Sequence, residues 1–533
     1  MDAAVSMTDL LDVSSSRWPD RPILRCGDDV VTYRQFAVTV ARTAAGLRRF
    51  GVGAGDRVAV WLRNCPEWLV LEFAIARLGA SVVAVNTRLR REDVAFVLRH
   101  STASVLVIGP AHKSVDFAAL LLEIAPDWQA GSQALPDLRS VITVGDAELP
   151  GAVRYESLVD AAPDSVLPAP LEVQVETEVA LLYTSGTTSL PRAAVRLNRN
   201  LFPHVAHVAE RLEMREDDVV LWGFPFCGTS GQVVALATIA AGGCGLPVEL
   251  GPPEETYNLM VRAGCTFLPA ADVTLHALAR VAAQRGNTLR LRAGLSAMIG
   301  SETGDTTIRA MQETFGAPFV QPYGMTEVNA VAACAAPSDP LEERARIGGP
   351  PVAPVEIEVL TDSGAESADG ATMGEIVVKG PTVLPGYFRP PDGDSAVTDD
   401  RGWFHTGDLG ERVGNRTYFN ARLKDMLKID GFNVSPVEIE GVLMAHPAVE
   451  LAQVVAHRET GRGEVAVGFV RLRRGHDVSE DALREHCAAR VARFKVPTRV
   501  FFLDAFPVAE GTTADKIQRN ALRQLAASLI NEC

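Results

Sequence analysis

Residues 181–200 read LLYTSGTTSLPRAAVRLNRN. Within that stretch Thr184, Ser185, Thr187 and Thr188 crowd around Gly186, Ser189 follows, and Arg192 and Arg196 lie beyond a proline. Hydroxyls and free backbone N–H groups on one turn make a cradle for an anion, above all for phosphate oxygens. Guanidinium groups would add charge-assisted contacts, often bidentate, to the same ligand. The GxxxxGK[ST] order is absent, so this is not a Walker A loop. Taken alone, the stretch also reads as a polar surface turn.

Four more segments carry residues able to do chemistry: QPYGMTE at 321–327, WFHTGDLG at 403–410, ARLKDMLKIDGFNVSPVEIE at 421–440 and TTADKIQRNALR at 512–523. Each has a plain alternative. Glu327 on a turn reads as a solvated carboxylate, Asp408 between glycine and leucine as an Asx-turn, and Lys516 as a surface cation.

The elements that must position these residues are legible in the pattern. RVAVWL (57–62), SVVAV (81–85) and ASVLVIG (103–109) are β-branched runs, and EWLVLEFAIARLG between the first two spaces its apolar residues as a helix ending on Gly79. ALLYTS (180–185), VVLWGFP (219–225), CTFLPA (265–270) and AGLSAMIGSE (293–302) continue the alternation, which predicts a mostly parallel sheet with helices on its faces. From about 350 the texture changes: VEIEVLTDSG and GEIVVKG read as antiparallel strands joined by turns. Beyond Arg422–Lys424 a compact unit follows, with VEIEGVLMAH and SEDALREHCAARV as helices, the second capped by Ser479, and AQVVAHRET and EVAVGFVRL as strands. The expected boundary divides 1–421 from 422–533.

At 533 residues the chain needs more than one core, and 47% hydrophobic with 22% charged residues is a globular composition. A net charge of −15 argues against nucleic acid as a partner. No apolar run is long enough to predict a membrane span. The cysteines form no CxxC pair and the first residues carry no basic n-region, so a reducing, cytoplasmic setting is expected.

In their order and spacing the five motifs resemble those of the AMP-forming acyl-CoA synthetase and adenylate-forming ligase superfamily, which includes adenylation domains and firefly luciferase. The likeness runs from VTYRQF at 31–36 to KIQRNALR at 516–523. It implies an α/β fold: a large N-terminal adenylation domain of several subdomains with mixed sheets and a β-rich part, then a small mobile α+β lid. The implied reaction is ATP-dependent activation of a carboxylic acid as an acyl adenylate, followed by thioester formation with coenzyme A. A free-standing carrier protein, an amine, or an atypical acid such as nitrite are alternatives for acceptor and substrate, and a weakly active nucleotide-binding homologue is another. Oligomeric state is not legible.

By the same resemblance, Thr184, Ser185, Gly186, Thr187 and Thr188, with Arg192, would close over the β- and γ-phosphates. Tyr323 would stack on adenine, with Gly300, Ser301 and Glu302 as the other wall. Thr326 would touch the α-phosphate, Glu327 would coordinate Mg²⁺, Asp408 would accept the ribose hydroxyls, and Arg422 would reach the sugar or phosphate. Lys516 would bridge the acid and the α-phosphate, Lys424 would be the hinge, and Lys428 and Gly431 would line the path of the CoA thiol. Phe224, Cys227, Gly228, Gly231, Pro269, Ala270, Asp272 and Gly324 would shape the acyl pocket for a medium-sized aromatic or aliphatic acid. Gly228 stands where the family has a histidine or aromatic gate, and Cys227 reads as small-residue packing. Asp272 would meet a substrate amine or hydroxyl, or an arginine such as Arg262.

The chain departs from the family's TSGTTG-x-PKG loop at Ser189, Arg192 and Ala193, and from its usual glycines at Ala421 and Asp515. A side chain in place of glycine costs little at negative φ and about 1 kcal/mol or more at positive φ.

Overall fold

A computed structural model describes residues 5–27, 29–112, 115–160, 174–184, 191–297, 304–361, 371–390, 393, 395–429, 432–459, 463–509 and 516–531. Among them, eight strands form one sheet in the order Tyr387–Phe388, Arg192–Leu197, Glu178–Thr184, Ser81–Ala84, Arg57–Trp61, Val105–Ile108, Ser140–Thr143 and Val153–Arg154. Pairing is parallel from Glu178–Thr184 onward and antiparallel at the other edge. Helices cover both faces of such a sheet, which is why its central strands are uninterrupted apolar runs. The helix Pro66–Arg77 takes Pro66 as its first residue and stops where Gly79 adopts φ 68°, as the sequence leads one to expect.

A second sheet runs Phe319–Val320, Ala293–Ala297, Phe267–Ala271, Val219–Trp222, Cys244–Pro247, Pro22–Cys26 and Asp29–Thr32, parallel except for the last pair. One apolar cluster joins the two sheets: Val58 and Val82 from the first, Val220 and Phe267 from the second, and Phe36, Phe73 and Leu236 from three helices. The first four strands of the second sheet lie side by side and parallel. They therefore release the chain at the same edge, after Trp222, Ala271, Ala297 and Val320. Crevices at the carboxyl ends of parallel strands are where open α/β sheets bind ligands.

A third sheet is antiparallel throughout: Gly348–Gly349, Arg416–Arg422, Phe404–Val413, Thr372–Lys379 and Glu356–Leu360. The last part of the chain builds its own core, since two apolar clusters contain only residues from Leu427 onward. It holds the strands Val449–Glu459, Gly463–Leu472 and Arg499–Phe502 and the helices Pro436–Met444, Glu480–Ala488 and Arg519–Asn531. Ser479 caps the second of these helices, accepting the Ala482 N–H at 3.2 Å. No helix among the described residues is long and apolar enough to cross a membrane.

One expectation is corrected, that Arg196 joins Arg192 in contacting an anion at the hydroxyl-rich turn. The chain beyond Pro191 is a strand, Arg192–Leu197, in an antiparallel hairpin with Glu178–Thr184. Arg196 shares a strand face with Arg192 but sits four residues, about 13 Å, further from the turn. It is 0% exposed and serves the interior instead of a phosphate.

Asn64 clamps the two sheets together. It follows the strand Arg57–Trp61, and its Nδ2 donates to the carbonyls of Trp222 at 3.0 Å and Phe224 at 2.8 Å. Its Oδ1 accepts the Phe226 N–H at 2.9 Å. Asn64→Ala strands buried backbone groups at about 1–3 kcal/mol each. The urea midpoint is expected to fall by an amount worth about 3 kcal/mol or more at unchanged m. An unchanged midpoint would refute the clamp.

Candidate active site

Asp408 and Arg422 are fourteen residues apart in the chain, but the hairpin of Phe404–Val413 and Arg416–Arg422 sets them directly opposite each other. Asp408 therefore lies in a strand and not in an Asx-turn. Its carboxylate is 1% exposed, and Oδ2 accepts the Tyr323 hydroxyl at 2.9 Å. Arg422 Nε lies 2.8 Å from Oδ1, yet its angle leaves that oxygen without a hydrogen bond among the described residues. Burial pushes the Asp408 carboxyl above the usual range, while Arg422 and the Tyr323 hydroxyl pull it back. A buried carboxylate oxygen short of donors is suited to a ligand that brings hydroxyls. The Tyr323 ring is itself buried and lies against Phe419, with centroids 5.9 Å apart and planes at 17°.

The YGMTE segment folds back sharply. A Cβ on Gly324 would sit 2.2 Å from the Ala330 carbonyl oxygen, so only glycine fits. Thr326–Val328 is a single tight helical turn that ends at Asn329 in the left-handed region, φ 56°. Thr229 donates its hydroxyl to that of Thr326 at 3.2 Å. Thr229 opens the helix Thr229–Ala241, whose N-cap Gly228 has no side chain to satisfy the first N–H groups. The positive end of a helix thus faces Thr326 with donors to spare.

Glu327 is half-buried, and its Oε1 accepts the Tyr387 hydroxyl at 2.7 Å. Burial and the Glu327 charge push that hydroxyl well above its ordinary value, so it stays a donor. Tyr387 belongs to the edge strand paired with Arg192–Leu197, and the Arg192 guanidinium lies 5.2 Å from its ring centroid. Thr184 pairs with Arg192 across the hairpin and donates its hydroxyl to the Arg192 carbonyl at 3.3 Å. Thr184, Arg192, Tyr387 and Glu327 are therefore brought together. Sequence reading missed Tyr387, whose only local signal is an aromatic pair in the turn-like stretch PGYFRP.

The pocket residues gather at the strand ends of the second sheet. Phe224 and Cys227 are buried, and burial pushes the Cys227 thiol up to about 12, which fits packing and not nucleophilic attack. A Cβ on Gly231 would sit 2.2 Å from the Pro225 carbonyl oxygen, so this glycine lets the helix press against the preceding turn. Pro269 and Ala270 lie in the strand Phe267–Ala271, and Asp272, 2% exposed, starts the next helix with its Oδ1 accepting the Val273 N–H. That position favours a carboxylate. Arg262 is exposed at the end of the preceding helix.

Lys424 is exposed in the turn Leu423–Asp425 that leads out of the third sheet. Lys428 is exposed in the following hairpin, its N–H bonded to Glu464 Oε2 at 2.7 Å. Lys516 pairs through its backbone with Ala509. The Lys516 side chain, Ser185, Gly186, Thr187, Thr188, Ser189, Gly300, Ser301, Glu302, Gly431 and Asp515 lie outside the described residues. Two departures from family glycines cost nothing in backbone strain. Ala193 and Ala421 both sit in strands, and neither is among the described non-glycine residues with positive φ.

Compared with solved structures, the chain is similar to the anthranilate CoA ligase AuaEII in complex with anthranoyl-AMP. The TM-score is 0.85 at 23% identity, over 99% of this chain and 98% of that one. The fold is that of the adenylate-forming ligases. The AMP-binding enzyme model matches residues 11–388, and the AMP-binding enzyme C-terminal domain matches 438–511. The chain belongs to the AMP-binding enzyme family, as its motifs led one to expect. It is 29% identical to the putative acyl-CoA synthetase YngI of Bacillus subtilis (strain 168), over 98% of this chain and 97% of the relative. It is 31% identical to 4-coumarate--CoA ligase 3 of Oryza sativa subsp. japonica, over 96% and 90%.

The raised Asp408 carboxyl has a consequence for stability. Its folded state holds the proton more tightly than the unfolded chain, so this group's contribution falls as pH rises from the unfolded value through the folded one. At neutral pH the buried charge is a cost. Asp408→Asn is expected to melt at or above the parent at pH 7, with the advantage shrinking as pH falls toward the unfolded carboxyl range. ATP should no longer raise its melting temperature. A variant less stable at pH 7 than at pH 4, relative to parent, would overturn this account.

Proposed function

We propose that this protein activates a carboxylic acid with ATP as an acyl adenylate, releasing pyrophosphate, and passes the acyl group to the thiol of coenzyme A. A carboxylate is a poor electrophile at neutral pH because it lacks a good leaving group; joined to AMP it has one. The observation that carries the reading is the Asp408 hairpin, whose buried Oδ1 lacks donors that a ribose diol would bring.

In this reading Asp408 and Arg422 grip the ribose, and Tyr323 with Gly300, Ser301 and Glu302 encloses the adenine. The turn from Thr184 to Thr188, including Ser185, Gly186 and Thr187, holds the terminal phosphates with Arg192. Thr326, facing the uncapped head of the helix Thr229–Ala241, meets the α-phosphate where negative charge builds up. Mg²⁺ would supply charge neutralisation at the phosphates, and Glu327, whose Oε2 has no partner among the described residues, is the carboxylate placed to hold it. One carboxylate plus substrate phosphates is the usual protein share of a Mg²⁺ site, and no group of three metal-binding side chains occurs among the described residues. Lys516 bridges acid and α-phosphate. Lys424 is the hinge about which residues 422–533, with Lys428 and Gly431, turn to admit the thiol; their separate core supports movement as a unit.

The acid is medium-sized and aromatic or aliphatic, because Gly228 leaves room beside Phe224, Cys227, Pro269 and Ala270. The names of two relatives, a 4-coumarate--CoA ligase and an anthranilate CoA ligase, make aromatic acids the first to try. Buried, unpaired thiols at Cys227, Cys265, Cys334 and Cys487 support a reducing, cytoplasmic setting.

Pyrophosphate release across a panel of acids, with and without CoA, tests the proposal. Acid-dependent release that turns over faster with CoA is expected; no acid-dependent release at all would defeat it. Lys516→Ala should slow adenylate formation by about 100-fold or more while leaving thiolysis of preformed adenylate nearly intact. Equal loss in both steps would remove the hinge account. Tyr387→Phe deletes a hydrogen bond to a charged group, worth about 1.5–3 kcal/mol. It should raise the Mg²⁺ concentration for half-maximal adenylation by roughly 10-fold, and an unchanged requirement would show that Tyr387 does not orient Glu327.

A further inference from the structure

Behind the Thr326–Glu327 turn lies a group of buried polar side chains that the reaction does not use directly. Arg196, Gln232, Asn329 and His204 are 0% exposed and Glu72 is 1% exposed. Arg196 Nε donates to Asn329 Oδ1 at 2.6 Å, and its Nη1 donates to Gln232 Oε1. We propose that Arg196 is a positioning residue for adenylation: through Asn329 and Gln232 it locks the Thr326–Glu327 turn onto the first turn of the helix Thr229–Ala241. The inference rests on the roles proposed above for Thr326 and Glu327.

The geometry is a closed ring. Gln232 lies three residues, one helical turn, beyond Thr229, and Asn329 lies three residues beyond Thr326. At one end Thr229 bonds to Thr326 at 3.2 Å; at the other, Arg196 holds Gln232 and Asn329 together. Asn329 has no spare capacity to drift. Its Nδ2 donates to the carbonyls of Asn200 at 3.1 Å and Thr382 at 2.9 Å, and its own carbonyl accepts His204 Nε2 at 3.2 Å. Burial pushes His204 down to about 4, so the imidazole is neutral and adds no second cation beside Arg196. Two residues past Thr382, the Leu384 N–H donates to the Glu327 carbonyl at 2.9 Å. The left-handed Asn329 is the pivot of the turn, and Arg196 holds its side chain.

Glu72, on the helix Pro66–Arg77, is the acid whose field Arg196 feels, without a hydrogen bond between them. Neither of its carboxyl oxygens has a hydrogen bond among the described residues, and burial pushes the carboxyl up, toward its neutral form, against the pull of Arg196. Such a pair is a poor way to fill a core, because well-packed apolar residues of similar size usually serve stability as well or better. What apolar side chains cannot supply is two directed bonds from one planar group. Arg196 also stands on the strand that leaves the hydroxyl-rich turn, so the ring joins that strand to both walls at Thr326.

The test is a double variant, Glu72→Met with Arg196→Met, which removes both ionisable groups and keeps bulk. Acid-dependent exchange between ATP and pyrophosphate is followed over a range of Mg²⁺, beside thermal melting. A melting temperature at or above parent is expected, with exchange about 10- to 100-fold slower, a raised Mg²⁺ requirement and an unchanged KM for the acid. Parental exchange at parental Mg²⁺ in the folded double variant overturns the proposal. Should the double variant not fold, Arg196→Lys decides. Lysine keeps the charge but cannot bond Asn329 and Gln232 in the same fork, so slowed exchange with a raised Mg²⁺ requirement supports the proposal and parental behaviour overturns it. Parent protein that shows no acid-dependent exchange refutes the ligase reading itself, a separate outcome from a variant that matches an active parent.

Discussion

A carboxylate held out of water, Asp408, is the constraint around which the site is arranged. Burying a charge is tolerable only with partners, and here they come from two places in the chain: its own hairpin supplies Arg422 and the sheet edge supplies Tyr323, while one oxygen is left short of donors. The antiparallel hairpin does the positioning. Its register converts a separation of fourteen residues into direct opposition, and the same strand runs out into the exposed Leu423–Asp425 turn. The group proposed to grip a nucleotide and the turn that leads to the last part of the chain are thus consecutive in sequence.

The remaining parts converge because parallel strands all end on one side. Four adjacent strands of the second sheet deliver the Phe224–Gly228 turn, Asp272 and the Tyr323–Glu327 turn to one edge, and the hairpin edge of the first sheet brings Arg192 and Tyr387 to Glu327. Asn64 ties the edges together, since its one amide satisfies backbone groups on both sides of the Phe224 turn. Close approach does the rest. Gly231 and Gly324 each occupy a place where a Cβ would meet a carbonyl oxygen at 2.2 Å. By contrast, the alanines at 193 and 421 lie in strands that ask for no special φ, so losing glycine there is inexpensive.

Charge is used differently at the surface and inside. Arg422 is half exposed beside Asp408, whereas Arg196 is sealed in the interior and fixed by two side chains. Two arginines four residues apart, Arg192 and Arg196, look equivalent in the sequence. One lies against Tyr387 and the other is sealed in the core.

Local pattern alone settles what is local. Apolar periodicity marked the strands and helices, Gly79 and Ser479 marked helix ends, and the types and order of residues in five short motifs identified the family and the class of chemistry. The tertiary structure alone decided which distant residues meet: Tyr387 with Glu327 across 60 positions, and Arg196 with Asn329 across 133. It also decided that the chain after the hydroxyl-rich turn returns as an antiparallel strand. The physical reason is that periodicity reports which face of an element is apolar, whereas contacts between elements follow from strand order and helix packing. Those are set by the summed burial of the whole core and leave no trace in any short window of sequence.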